Sequence, residues 1–511
     1  MGTVVRTGGL QGIEGCPVNV EVDLTRGLPA FHLVGLPNTA VRESRERVMA
    51  AVRNSGHHLP RGRVTVNLAP ADVRKEGAGH DLAIAVAVIA AERSRRGQNQ
   101  ARPDRGLLLG ELSLFGEVRP VRGLLAIVLD AAARGETMVT VPAEQVWEAR
   151  LVPGMDVVGV RTLAEAVTWY LKGTRPKGVE MARRRPAEPS AEPLPDHLAM
   201  QPLAARAALL AIAGRHHLLL IGPPGAGKTR LARILGSMLP NLGDAEGLEV
   251  TRIQSAAGLL NGGDLVRRPP FRAPHHTITT AGLLGGGARL QPGEVTLAHG
   301  GVLFLDELAE FAARTLDALR EPLTEGMVRV ARGSGQRTFP ANFQLIAATN
   351  PCRCGFLGSR VRTCSCGPRE QARYRMRLSG PLRDRFDLAV EMGDGRQEQL
   401  SGQDEPWAER TRSWSQSLMR ARTILADRQD PPATWNVARR IQAYGLDGGA
   451  VAILEQARRP LGLSLRGVLR TCRLARTAAA LDGLLTVSAR HVRESLRYRH
   501  EALGCWRATE G

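Results

Sequence analysis

Aromatic residues make up only 4% of this 511-residue chain, so base stacking cannot dominate any nucleic-acid contact it makes. Lysine is scarcer still: only Lys75, Lys172, Lys177 and Lys228 stand among 69 basic residues. Long apolar runs are also missing. The longest uncharged one, Leu82 to Ala91, is about half of the roughly 20 residues a membrane-spanning helix requires, and no span is expected. The opening residues, MGTVVRTGGLQGIEG, have neither the basic start nor the apolar core of a secretory signal. A cytoplasmic, reducing location is the expectation that follows.

What is present points to a folded protein of several domains. Hydrophobic residues are 43% and charged residues 23% of the chain, close to the globular average. At roughly 100 to 200 residues per domain the length fits about three domains. Lys and Arg number 69 against 50 Asp and Glu, a formal charge of +19, and the pI is near 10.8. Such an excess favours a polyanionic partner such as nucleic acid; a coding bias towards arginine would raise the same total without any partner.

Residues 1–173 mix short β-like runs (Val18 to Leu24, Val64 to Leu68, Thr137 to Val141) with helical patterns (Val41 to Ser55, Leu82 to Arg93, Leu124 to Arg134), which predicts an α+β domain. The proline-rich segment 174–195, TRPKGVEMARRRPAEPSAEPLP, reads as an extended linker. Over 196–396, strand-like LLLIG and VLFLDE runs alternate with helical stretches, the pattern of an α/β core built on a parallel sheet. A second linker covers 397–411, and 412–511 reads as a helical domain.

The core carries a nucleotide signature. A strand-like HLLLI is followed by Gly222, Pro223, Pro224, Gly225, Ala226, Gly227, Lys228 and Thr229, and then by a helical RLARILGSML. Glycines let backbone N–H groups curl around phosphates, Lys228 reaches the β and γ phosphates of ATP, and Thr229 can ligate Mg²⁺. The bland alternative, a glycine-rich turn that opens a helix, leaves the preceding strand unexplained. Downstream, VLFL ends in Asp306 and Glu307, suited to hold the Mg²⁺ shell and to polarise an attacking water. Two acids at a strand end could instead cap the next helix. A third strand, FQLIAAT, ends in Asn350, whose amide can hold the same water or the γ phosphate, although an Asn there is usually only a turn residue.

Four of the seven cysteines fall together as Cys352, Cys354, Cys364 and Cys366. Two close pairs across a short loop can close a tetrahedral thiolate site for structural Zn²⁺, with free thiols as the alternative. Basic groups form a further set. Arg289 lies in a glycine-rich stretch, and MVRVARGSGQRTF reads as a hairpin bearing Arg329, Arg332 and Arg337. Taken alone, each of these reads as part of an ordinary solvated surface.

The order GPPGAGKT, RPPFRAPHHTITTAGLLGGG, PGEVTLAHGGVLFLDE, LIAATNPCRCG, SGPLRDRFD and LSLRGVLRTCRLARTAAAL resembles the magnesium-chelatase-like AAA+ ATPases, and within them the ComM/YifB branch of natural transformation and DNA recombination. The resemblance covers nearly the whole chain. It implies that Arg385 is an arginine finger acting on a neighbouring subunit, with Arg383 the competing candidate, and that Arg466 is the sensor-2 arginine. It also implies a homo-oligomeric ring, a hexamer, a helical lid over 412–511, and an inserted hairpin facing the central channel, so that some of Arg289, Arg329, Arg332 and Arg337 would contact a DNA backbone.

The segments APADVRKEGAGHDLAIA and GELSLFGEVRPVRGLLA resemble the proteolytic domain of Lon-type proteases. Gly79 stands where that domain has its serine and Leu125 where it has its lysine, so a non-catalytic module is expected and protease activity is not. The whole then reads as an ATP-dependent DNA motor driving branch migration. Its alternatives are a motor subunit for metal insertion into a porphyrin and a scaffold that only clamps nucleotide.

Overall fold

The computed structural model describes residues 3–35, 39–71, 75, 77–98, 105–178, 202–260, 262–287, 290–332, 335–359, 362–393, 407–426, 431–432 and 434–499. It separates into two compact units. Unit 1 comprises Met1–Pro189, Leu242–Arg267 and Gly287–Pro292, and unit 2 comprises Ser190–Asn241, Arg268–Gly286 and Gly293–Gly511.

In unit 1, β1 (Thr3–Gln11), β2 (Glu14–Thr25), β3 (Ala30–Val34) and β4 (Arg63–Ala69) form a sheet in the order β1-β2-β4-β3, parallel only between β3 and β4. Alternation along the strands turns one face inward: Val18, Val20 and Val22 of β2 and Val64, Val66 and Leu68 of β4 are buried. Helix α1 (Thr39–Asn54) packs beside α2 (Asp81–Arg95), which lies on this sheet. The apolar run Leu82 to Ala91 is buried along its whole length, which explains its lack of a polar face. A second, parallel sheet of Leu107–Leu108, Met138–Pro142 and Asp156–Val160 shares a core with α3 (Leu124–Ala133).

One helix of this unit comes from elsewhere in the chain. The helix Asp244–Ala257 packs against α3. Gly123 N donates to Ser255 O at 3.1 Å, Arg122 Nε to Ala256 O at 2.7 Å, and Ser255 Oγ to the buried Glu148 carboxylate. The α/β core expected as one run over 196–396 is therefore interrupted, because Leu248 of this helix belongs to the α3 cluster.

In unit 2, β5 (Leu218–Ile221), β6 (Phe271–Arg272), β7 (Val302–Leu305), β10 (Gln344–Thr349) and β11 (Leu388–Glu391) form the order β6-β7-β10-β5-β11, every neighbouring pair parallel. The intervening β8 (Met327–Arg332) and β9 (Gly335–Pro340) make a separate hairpin. Strands β5, β7 and β10 are buried throughout, as strands covered on both faces must be. Helix α4 (Lys228–Ser237) follows β5. This is the α/β fold expected for the core.

The C-terminal helices are α5 (Trp407–Ala426), Val437–Ala443, Gly448–Arg458, α6 (Leu465–Leu481) and Ala489–Arg497. The boundary placed at 412 falls inside α5, whose Trp414, Leu418 and Ala421 join the cluster around the sheet. Of the expected linkers, 179–195 and 397–406 lie outside the described residues. Among the described residues no helix is long and apolar enough to cross a membrane.

Candidate nucleotide site and cysteine cluster

Strand β5 delivers the chain into the glycine loop with its backbone fixed by both neighbours. Gly225 and Gly227 have φ of 83° and 81°, in the left-handed region where glycine pays no steric cost. Lys228, the first residue of α4, is buried, and its Nζ donates to Gly222 O at 2.7 Å, Pro223 O at 2.8 Å and Asn350 Oδ1 at 3.2 Å. Burial pulls its ammonium down to about 8, against the opposing charges of Asp306 and Glu307.

Thr229 Oγ1 donates to Asp306 Oδ2 at 2.6 Å. Two hard oxygens of the kind that bind Mg²⁺ thus meet beside the loop. Asp306 Oδ1 accepts from Glu307 N at 2.9 Å. Glu307 has φ 52°, a left-handed backbone that costs a non-glycine residue about 1–3 kcal/mol and clusters at functional sites. Its exposed carboxylate lies 3.3 Å from His276 Nδ1, and His276 is in turn 4.1 Å, centroid to centroid, from the His275 ring. The structure therefore brings Lys228, Thr229, Asp306, Glu307 and Asn350 together, the last from the end of β10, which lies between β5 and β7. No metal-ligand spacing surrounds His276 in the sequence, so nothing there marks it. Only the adjacency of β6 and β7 reveals that a residue shortly after β6 faces the carboxylate after β7.

The four cysteines converge directly after Asn350. Sγ separations are 3.4 Å for Cys352 and Cys354, 3.7 Å for Cys352 and Cys364 and 3.6 Å for Cys354 and Cys364. All four sulfurs lie within 4.8 Å of one another. Sulfurs at about 2.3 Å from a tetrahedral ion stand about 3.8 Å apart, so the set fits a metal ion. Burial pushes the Cys354 thiol up, but N–H groups of Phe356 and Ser365 and the neighbouring thiols outweigh it and bring it down to about 5. The loop is seated on the phosphate loop: a Cβ on Gly355 would lie 2.8 Å from Pro224 Cδ.

Arg385 and Arg466 meet at another place in unit 2. Burial, then the charges of Arg466 and Arg320, push the Arg385 guanidinium below its usual range. Among the described residues no hydrogen bond or ion pair joins Arg385 or Arg466 to Lys228, Asp306 or Asn350. Arg466 is exposed on the first turn of α6, behind the Ser464 cap. Asp387 fixes this region. Its buried carboxylate accepts from His217 N at 2.9 Å and lies 3.6 Å from Arg470 Nε of α6 and 3.7 Å from His216 Nδ1. Burial raises this acid, yet His216, His217 and Arg470 together hold it far below the usual carboxylate range.

The hairpin read from the sequence is present, with Arg332 opposite Gly335 at its turn. Arg329 pairs with Glu325 at 2.7 Å and Glu321 at 3.4 Å. Arg337 is half-buried and donates to Gln336 O at 3.0 Å. Arg289 and the side chain of Arg332 lie outside the described residues.

Comparison with known proteins matches residues 196–400 to the family described as magnesium chelatase, subunit ChlI, residues 20–145 to subunit ChlI of Mg-chelatase, and residues 408–499 to the ChlI C-terminal family. An uncharacterized protein of Mycobacterium tuberculosis is 43% identical over 96% of this chain and 97% of its own. The uncharacterized protein YifB of Escherichia coli is 38% identical over 97% of each chain. The competence protein ComM of Haemophilus influenzae is 36% identical over 96% of this chain and 95% of its own. The chain belongs to the ComM/YifB family of magnesium-chelatase-like AAA+ ATPases. Membership implies ATP and Mg²⁺, and the glycine loop with the Thr229 and Asp306 oxygens fits both.

Proposed function

We propose that this ComM/YifB-family ATPase is a ring-forming DNA motor, a hexamer, that uses ATP hydrolysis to drive branch migration during recombination. The observation that carries the ring is the arginine trio Arg320, Arg385 and Arg466. None of the three guanidinium groups makes a hydrogen bond or ion pair among the described residues, and burial and mutual repulsion act on Arg385. The charge of Asp384 opposes this repulsion only in part, and a γ phosphate held by the next subunit supplies a further anion for the cluster, as a cation delivered in trans would require. Within one subunit, Lys228 and the loop N–H groups hold the phosphates, Thr229 and Asp306 hold Mg²⁺, Glu307 takes a proton from the attacking water, and Asn350 orients that water. His276 positions Glu307.

The DNA reading is supported by the +19 charge and by the relative named as a competence protein. Arg329, paired with two carboxylates, and Arg332, Arg337 and Arg289 are the candidate contacts to the DNA backbone. ATP hydrolysis should rise with single-stranded or branched DNA. If six or more phosphates are contacted, DNA affinity should fall on the order of a thousandfold between 50 and 200 mM salt. Arg332→Ala with Arg337→Ala should weaken DNA use and spare basal hydrolysis. An ATPase indifferent to every DNA form, yet stimulated by a chelatase partner and porphyrin, would falsify this reading and establish the metal-insertion alternative.

The metal of the cysteine cluster is proposed to be structural zinc, since four thiolates at tetrahedral spacing leave no open ligand position. Protein purified under reducing conditions should carry about one zinc per chain. Cys354→Ser with Cys366→Ser should abolish it and loosen the loop at Gly355. Metal-free wild-type protein with an intact ATPase would end the claim.

A further inference from the structure

Unit 1 contains a cavity of about 270 Å³ between the glycine-rich end of β1, the loop entering α2, and α3. At about 30 Å³ per water this is room for about nine waters. Gly9, Gly79, His80, Glu111, Val121 and Arg122 stand on its wall, and none of them belongs to the nucleotide site. His80 is the member that demands explanation. It is 1% exposed, and among the described residues neither ring nitrogen has a hydrogen-bond partner. A buried polar group left unpaired is costly, and two on one ring are rare in a native fold.

Burial first, and then the charge of Lys75, hold the imidazole at about 4. The ring is therefore neutral near pH 7 and presents one N–H donor and one lone-pair acceptor. It faces the cavity, since a Cβ placed on Gly9 would lie 3.5 Å from His80 Cε1 and 3.7 Å from Nε2. The charged groups around it do not select an ion. Glu111 and Arg122, of opposite charge, both stand on the wall, Arg122 Nε already donates to Ala256 O at 2.7 Å, and Lys75 Nζ already donates to Pro70 O. Finally, among the described residues β1 ends its sheet, with β2 as its hydrogen-bonded strand neighbour; Leu107–Leu108 runs beside it at Thr7, whose Oγ1 donates to Leu108 O at 2.7 Å, and Gly9 and Leu10 lie beyond that contact, on the cavity wall.

We propose that this cavity binds an extended peptide segment, whose main-chain N–H and C=O groups satisfy His80 and the outer edge of β1 while a small apolar side chain fills the space against Leu10, Val121 and Ile127. A peptide alternates donors and acceptors along its length, aligns naturally with a strand edge, and needs no net charge on the wall. A phosphate or carboxylate would offer the neutral ring acceptors only and would meet Glu111. This inference goes beyond the DNA-motor reading and does not depend on it.

The test uses the full chain. Fluorescein-labelled, end-blocked tripeptides with Val, Asp or Lys at the centre are titrated and followed by anisotropy. The Val peptide should bind, and the charged ones should bind at least about tenfold more weakly. His80→Phe keeps the ring bulk and removes both nitrogens. It should weaken the Val peptide at least about tenfold while Tm holds or rises and basal ATP hydrolysis is unchanged. A purely structural His80 would lower Tm on substitution and leave affinity alone. Ala78→Leu, on the same wall, fills the cavity and should give the same loss of binding if His80→Phe does not fold. The proposal is overturned if no tripeptide binds, if the folded variants bind like wild type, or if inorganic phosphate displaces the Val peptide.

Discussion

Glu307→Gln should leave ATP bound and slow its hydrolysis by about 10²–10⁴-fold, the usual contribution of a positioned general base. The amide keeps the shape of the side chain and can still meet His276, 3.3 Å from the native carboxylate, but it cannot accept a proton from water. Lys228→Ala should fail at an earlier step. Its Nζ ties Gly222 O, Pro223 O and Asn350 together, so truncation removes the phosphate charge partner and also unties the loop. Nucleotide binding measured with a fluorescent ATP analogue, beside phosphate release from the same preparations, separates the two. Equal loss of binding in both variants would refute the division of labour.

Arg385→Ala should retain ATP binding and lose hydrolysis by about 10³–10⁵-fold, the range associated with an arginine supplied in trans. The charges of Arg466 and Arg320 act on this arginine, and two residues later the Asp387 carboxylate accepts from His217 N and lies 3.6 Å from Arg470 Nε. Mixing this variant with Lys228→Ala should restore part of the activity, since one subunit then offers an intact nucleotide and the other an intact finger. No rescue at any ratio would remove the composite site. If Arg383→Ala alone reproduces the loss, the finger is Arg383.

The phosphate loop, the two acids and the asparagine were legible in the sequence because each sits at the end of an uninterrupted apolar strand, and in a parallel sheet strand ends share one edge. The cysteine cluster was legible because its ligands are local. Contacts set by strand order were not. His276 meets Glu307 only because β6 lies beside β7, and Asp387 gains its role only when the start of β5 and helix α6 reach it from distant parts of the chain. Strand β1 was missed because Gly8 and Gly9 depress strand propensity, although a Cβ at Gly8 would lie 2.3 Å from Ile127 Cγ2, so close packing explains a residue that looked like a breaker. The start of α5 was missed because its buried positions, Trp414, Leu418 and Ala421, are spread thinly among polar ones. The pairing of Arg329 with Glu321 and Glu325 was invisible to a reading that counted only positive charges.

The helix Asp244–Ala257 makes the two units inseparable in one practical sense. A fragment beginning at Ser190 would keep the phosphate loop, Asp306 and Glu307, yet it would also keep this helix and deprive it of α3, Glu148 and the carbonyl contact of Arg122. Its inner face would be stranded, with Leu248 and Ser255 no longer covered. Inactivity of such a truncated protein would report on an orphaned helix rather than on what the N-terminal region contributes. Genetic dissection of this chain must therefore proceed by point substitution, and a deletion series drawn along the linear map would cut through a fold that the map does not show.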